Sequence, residues 1–281
     1  MDDLSLSQAI EDLMVSRNLR GMQQVQGALQ PGYFLRAATH LKMSAGTVLI
    51  GTGFPVADTF ETDGPVGAMA LYQSLETMGA TPIIVCGKPL SDHLQPAYRV
   101  HEIRVGRHAD WEAETRAALS QLQPDVVVSI ERPGLSAQGG YFNMRGEDIS
   151  ERCACFDYFV KLAACPTIAI GDGGNEIGMG NIRAAIEALD IVPAVTGCDE
   201  LLIADVSNWA AYGLLAIIGY WRGEDLLGKI APLEFLYYLS KRGSVDGVTR
   251  ENTLTEDGLP ASEGLQLIED LRRLTGFGEY A

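Results

Sequence analysis

Short apolar runs rich in β-branched residues recur along this chain at 47–50, 82–85, 101–105, 126–130, 167–170 and 201–205. Runs this short, several of them stopped by glycine or a charged residue, read as buried strands. Between them, apolar positions follow helical spacing near 65–78, 110–122, 150–164, 180–189 and 208–221. Strand and helix in alternation predict a mostly parallel, doubly wound, Rossmann-like α/β sheet with helices on both faces. Residues 1–45 read as helical: Leu4, Ile10, Leu13 and Met14 share a face, Arg20-Gly21-Met22 breaks the run, and an amphipathic segment follows at 34–43. Residues 229–281 read as helices around a loop at 244–249. No repeat or linker divides the chain, so residues 1–281 are expected to form one α/β domain with its terminal segments packed on it.

Composition narrows the class of function. A formal charge of −16 opposes nucleic acid and anionic membrane surfaces, and neither is expected as a partner. The apolar stretch from Trp209 to Trp221 is too short to span a bilayer. The start MDDLSLSQAIEDL has no basic segment before an apolar one, so a cytoplasmic location is expected. Five scattered cysteines give no disulfide framework, and Cys153 and Cys155 do not make a zinc site. The apolar segment at 232–239 suits either core or the contact of a homo-oligomer.

Chemistry concentrates behind the strands. After 167–170 comes GDGGNEIGMGN, residues 171–181, with Asp172, Asn175 and Glu176 among five glycines. After 47–50 comes GTGFPVADTFETDGP, with Asp58, Glu61 and Asp63 and the hydroxyls of Thr52, Thr59 and Thr62. Pro65 then suits the first turn of a helix. In an open parallel sheet, loops beyond the carboxyl ends of strands converge on one crevice. Neither loop matches GxGxxG, and no GxxxxGK[ST] occurs, so no nucleotide cofactor is expected. Loops dense in carboxylate and poor in lysine call for a cation or for the cationic part of a small acidic substrate.

Arg132 and Arg145, behind the 126–130 strand, either clamp a substrate carboxylate or pair with Glu131 and Asp148. Asp205, Ser207 and Asn208 follow the apolar run at 201–204. Oxygen ligands for magnesium or manganese are on offer from Asp58, Glu61, Asp63, Asp172, Glu176 and Asp205. The four histidines, His40, His93, His101 and His108, lie outside these loops, which argues against a histidine-type zinc centre.

The motifs ETDGP at 61–65, IERPG at 130–134, NMRGEDIS at 143–150, GDGGNEIGMGN at 171–181 and SVDGVT at 244–249 resemble the D-glutamate cyclase-like C-terminal domain family, over residues 20–252. The resemblance implies a hydro-lyase that interconverts D-glutamate and 5-oxo-D-proline plus water, the α-amine attacking the γ-carboxyl group. Such a reaction needs a base for the ammonium, neutralisation of the γ-carboxylate and oxyanion donors. On this expectation Asp172 and Glu176, with Asp63, either take the proton or hold a divalent cation. Arg132 or Arg145 anchors the α-carboxylate, Gly173 and Gly174 at a helix start supply N–H groups, Asn175 and Asn208 orient these groups, and Thr62 joins them as a substrate-binding residue. Two other functions fit the same loops: a metal-dependent hydrolase of a phosphorylated or acylated metabolite, and a non-catalytic module that binds an acidic amino acid.

Overall fold

The computed structural model describes residues 1–42, 46–108 and 110–278. Six strands, Thr47–Thr52, Thr81–Cys86, Val100–Glu102, Val126–Ile130, Thr167–Gly171 and Glu200–Ile203, form one parallel sheet. Named by first residue, their order is 100, 81, 47, 126, 167, 200. The chain therefore winds outward from the 47 strand in one direction and then from the 126 strand in the other. The switch lies between these two neighbours, which pair in the register Val48 with Val126. A crevice opens at such a switch, beyond the carboxyl ends of the strands.

The middle strands are continuous apolar runs because both of their faces are covered. Every residue of Val126–Ile130 and Thr167–Gly171 is buried. Helices Asp3–Met14, Tyr33–Lys42, Pro65–Thr77, Ser207–Arg222 and Ala261–Leu274 pack on one another as one layer, and Trp111–Leu122 packs with Asp157–Leu162 elsewhere. The Ser207–Arg222 helix is buried from Ser207 to Gly219, which explains why this apolar stretch is core and not a membrane span. Among the described residues, no helix is long and apolar enough to cross a membrane.

Several elements are shorter than their patterns predict. The helix expected over 150–164 is a turn at Ser150–Arg152 followed by Asp157–Leu162. Between them the Cys153 carbonyl accepts the Gly106 N–H at 2.8 Å and Ala154 bridges to Val105, so this backbone is used sideways and not along a helix. The 201–205 strand stops at Ile203, because the Asp205 N–H turns to the Met14 carbonyl at 2.8 Å. The 180–189 helix reduces to Met179–Ile182 and Arg183–Ile186. The tail holds helices Pro232–Ser240 and Ala261–Leu274, plus a small hairpin of Thr255–Glu256 with Leu259–Pro260 that the pattern reading omits. The segment expected at 34–43 is the Tyr33–Lys42 helix; Met43, together with 44–45 and 279–281 of the terminal segments, lies outside the described residues.

Candidate active site

Two helices begin at the switch point and complete each other's first turns. Pro65 opens the Pro65–Thr77 helix and the Asn208 side chain caps it, its Oδ1 accepting the N–H groups of Gly64 at 2.9 Å and Gly67 at 2.6 Å. In return, Asp63 caps the Ser207–Arg222 helix. Its carboxylate accepts the N–H groups of Ser207 at 2.8 Å and Asn208 at 2.7 Å. Both helix N-termini thus bring their positive dipole ends together here, with their first N–H groups taken by Asn208 and Asp63.

Three strand ends deliver the acids. Glu131 directly follows Val126–Ile130, with a φ of 46°, and its Oε2 accepts the Ser207 hydroxyl at 2.5 Å. Asp172 follows Thr167–Gly171 and is 2% exposed. Glu61 and Asp63 arrive from the first strand's loop, and Asp257 from the turn of the 255–260 hairpin. Carboxylate oxygens of Asp63, Glu131 and Asp172 lie within 4.8 Å of one another. That trio of hard oxygen donors is suited to a divalent cation. Arg20 enters from the N-terminal segment and donates to both Asp172 and Asp257.

Backbone strain gathers at the same place. Six described non-glycine residues have positive φ, and four of them, Ala57, Glu131, Arg250 and Asp257, line this pocket. Strained residues that cluster in a cleft persist where the surroundings hold them for a purpose. Asp257 and Gly258, with φ of 52° and 77°, form the two-residue turn of their hairpin, which is how a carboxylate from the far end of the chain reaches the cleft.

Burial raises the pKa of Glu61, Asp63, Glu131 and Asp172 well above the usual carboxylate range, with mutual repulsion adding to it. Glu176 is raised by burial, against the pull of the Gly174 amide. Asp257 is the exception. Burial pushes it up, but the Arg20 charge and hydrogen bonds outweigh that and hold it below the ordinary value. Arg20 therefore sits between one carboxylate that stays ionised and another, Asp172, that binds protons readily.

Glu256, buried behind the pocket, is raised to about 7, by burial first, against the hydrogen bond that Asn208 donates. A carboxyl whose folded pKa exceeds its unfolded value contributes stability below the unfolded value, and that contribution is lost as pH rises through the folded one. Wild-type stability should therefore fall between pH 4.5 and pH 7. Glu256→Gln, which keeps an acceptor for Asn208, should remove on the order of 3 kcal/mol of that fall. Denaturant unfolding at pH 5 and pH 8 checks this, and equal pH dependence in the two proteins would contradict it.

The structure redistributes the residues expected from sequence. Asp172, Glu176, Asn175, Gly173 and Arg145 line the pocket, and Asp63 lies behind it, its carboxylate within 4.8 Å of those of Glu131 and Asp172. Glu176 does not join Asp63 and Asp172 as a ligand; Glu131 takes that place, because both Glu176 oxygens accept the Gly173 and Gly174 N–H groups at 2.9 and 2.7 Å. Those two amides are thereby occupied, and they belong to a turn and not to a helix start, which corrects their assignment as oxyanion donors. Arg132 faces away: its guanidinium donates to the carbonyls of Thr52, Gly53 and Ala154, so it braces loops and clamps no substrate. Thr62 donates to the Thr255 carbonyl and Asn208 caps a helix, so both position other groups. Asp58 is exposed, and Asp205 accepts the N–H groups of Arg17 and Leu19, which shapes the loop carrying Arg20. Asp148 pairs with Arg107, not with Arg145.

A model of the family described as D-glutamate cyclase-like, C-terminal, matches residues 10–272, a span that contains every residue of this pocket. The chain belongs to this family. Human mitochondrial D-glutamate cyclase is 29% identical over 246 residues, covering 74% of this chain and 40% of that protein. The chain thus spans well under half the length of that relative. Among solved structures, an exopolyphosphatase-related protein from Bacteroides fragilis is 10% identical with a TM-score of 0.44, covering 90% of this chain and 62% of that one. A mycobacterial protein complexed with NADPH is 14% identical with a TM-score of 0.28, covering 89% and 62%. Both likenesses are too weak to bear on the site.

Sequence reading missed Arg20, Asp257 and Arg250 as parts of this pocket and weighed Glu131 only as an ion-pair partner. The Asp257-Gly258 pair, a strong turn signal, marked one of them.

Proposed function

We propose that this domain interconverts D-glutamate and 5-oxo-D-proline plus water. The observation that carries the reading is a small two-sided pocket, with buried carboxylates for a floor and arginines on the rim. The cavity is about 90 Å³. At roughly 10–15 Å³ per water, it has room for about six to nine water-sized groups, the scale of a small metabolite. An acidic floor suits the ammonium of an amino acid, and a basic rim that includes Arg145 suits its carboxylate.

In the closing direction a C–N bond forms between the amine and the carbon of the γ-carboxyl group, and a C–O bond of that group breaks. The ammonium gives up two protons, which leave with the oxygen as water. A buried carboxylate whose pKa is raised above the ordinary range can accept and return such protons, and Asp172, which lines the cavity, is the candidate. Intramolecular attack lets positioning carry part of the barrier. Asp63, Glu131 and Asp172 fit a divalent cation, magnesium or manganese by their oxygen chemistry, and a bound cation would polarise the γ-carboxyl group. The reading fits the family and the 29% identity to a D-glutamate cyclase.

The test is an NMR time course with D-glutamate, L-glutamate and both 5-oxoprolines, first with EDTA and then with Mg²⁺ or Mn²⁺. Interconversion of the D pair is expected. Failure to convert either pair, by a protein that melts cooperatively, would overturn the reading. The same acids and arginines also suit a phosphorylated metabolite, so phosphate release from sugar phosphates with Mg²⁺ would identify a hydrolase instead.

A further inference from the structure

Two loops meet across the mouth of the pocket. One, around Asn143–Glu147, is folded on itself by the Asn143 side chain, whose Oδ1 accepts the N–H groups of Arg145 at 2.9 Å and Glu147 at 3.0 Å. The other carries Arg250 at a φ of 61° and is organised by the buried Asp246, which accepts the Val248 and Thr249 N–H groups at 2.9 and 2.8 Å. The Arg145 guanidinium reaches over to the Val248 carbonyl at 2.8 Å, and no carboxylate pairs with it among the described residues. Between the loops lies the carboxylate of Glu147. Its Oε2 accepts Arg250 Nη2 at 2.7 Å and Asn143 Nδ2 at 2.6 Å. Glu147, Asn143, Arg145 and Arg250 all line the cavity.

From this arrangement we infer that Arg250, Asn143 and Arg145 form the subsite for the substrate's non-reacting carboxylate, and that Glu147 occupies it in the ligand-free protein as an internal competitor. The assignment rests on the reading of the substrate as an amino dicarboxylic acid. The floor is a cluster of carboxylates, so a substrate anion is repelled there and must be held at the rim. The chain carries a charge of −16, so capture of an anion needs local cations at the entrance. Glu147 has the same carboxylate chemistry as the substrate and is about half exposed, so its contact exchanges easily. The substrate carboxylate replaces it on Arg250 and Asn143, while Arg145 supplies a second guanidinium. The product 5-oxoproline keeps this carboxylate, so the subsite serves both directions.

The experiment measures calorimetric binding of glutarate, a dicarboxylate without an amine, to the wild type, Glu147→Gln and Arg250→Gln, with thermal melts to confirm folding. Removing a weak internal competitor should tighten binding about two- to fivefold. Loss of the charge-assisted donor in Arg250→Gln should weaken it about tenfold or more. The KM for D-glutamate should move in the same directions. If Glu147 merely latches the loops, its replacement would loosen them and weaken glutarate binding. That sign, unchanged affinity in Glu147→Gln, or no glutarate binding by any form would overturn the subsite. Tighter glutarate binding by Glu147→Gln without conversion of D-glutamate by any form would keep the subsite and remove the reaction.

Discussion

Asp172→Asn should lower turnover of D-glutamate by about 10²- to 10⁴-fold, the range usual for loss of a positioned acid–base group. The substitution is nearly isosteric and keeps an oxygen to accept from Arg20, so the loop behind Thr167–Gly171 has no reason to move. What disappears is the site that takes and returns the proton, together with one oxygen anion of the trio with Asp63 and Glu131. Burial and the neighbouring Glu131 disfavour the ionised form of Asp172 while Arg20 favours it, so these contributions to stability oppose one another and the fold should survive the change. NMR rates paired with thermal melts separate the two effects. Turnover within tenfold of wild type in a folded Asp172→Asn protein would take this residue out of the chemistry.

The second large effect should come from Arg20→Met. Methionine keeps apolar bulk along the stem but leaves Asp172 and Asp257 buried without their shared counter-charge. Removing one partner from a buried ion pair costs about 3–5 kcal/mol. The deficit should depend on pH with a definite sign. Asp257 in the wild type is held below its ordinary value by Arg20, so its stabilisation is present above that value and lost as pH falls through the lowered one. The variant lacks this contribution, and the two proteins should converge in stability on acidification. Denaturant midpoints at pH 8 and pH 4 measure it; a deficit below about 1 kcal/mol at pH 8 would show that Arg20 is not the counter-charge.

Much of the fold was legible because its middle strands are apolar on both faces, so 126–130 and 167–170 announce themselves without any alternation. Strand order was not legible, since periodicity carries no information on which strands become neighbours. The 150–164 segment misled because helical spacing is blind to the sideways use of the Cys153 and Ala154 carbonyls. At the site, Asp172 and Asp63 were visible as carboxylates behind strands. Arg20 was not: its partners lie 152 and 237 residues away, and nothing local marks a surface-type arginine as the cation of a buried cluster. Arg132 misled for the opposite reason, since a strand-end arginine beside glycines looks like a clamp, and only the three carbonyls around it reveal a brace. Glu176 was found, but a carboxylate two residues beyond two glycine amides can close on its own loop, as it does here.

The crosswise capping of Asp63 and Asn208 sets the size of the portable unit. A designer moving this site into another open parallel sheet cannot graft one loop at a time, because each helix start is finished by a side chain from the other. The smallest transplant is two strand-to-helix junctions together, with the gap between the helices kept narrow enough for Gly67, where even a β-carbon would come within 2.9 Å of the Asn208 backbone.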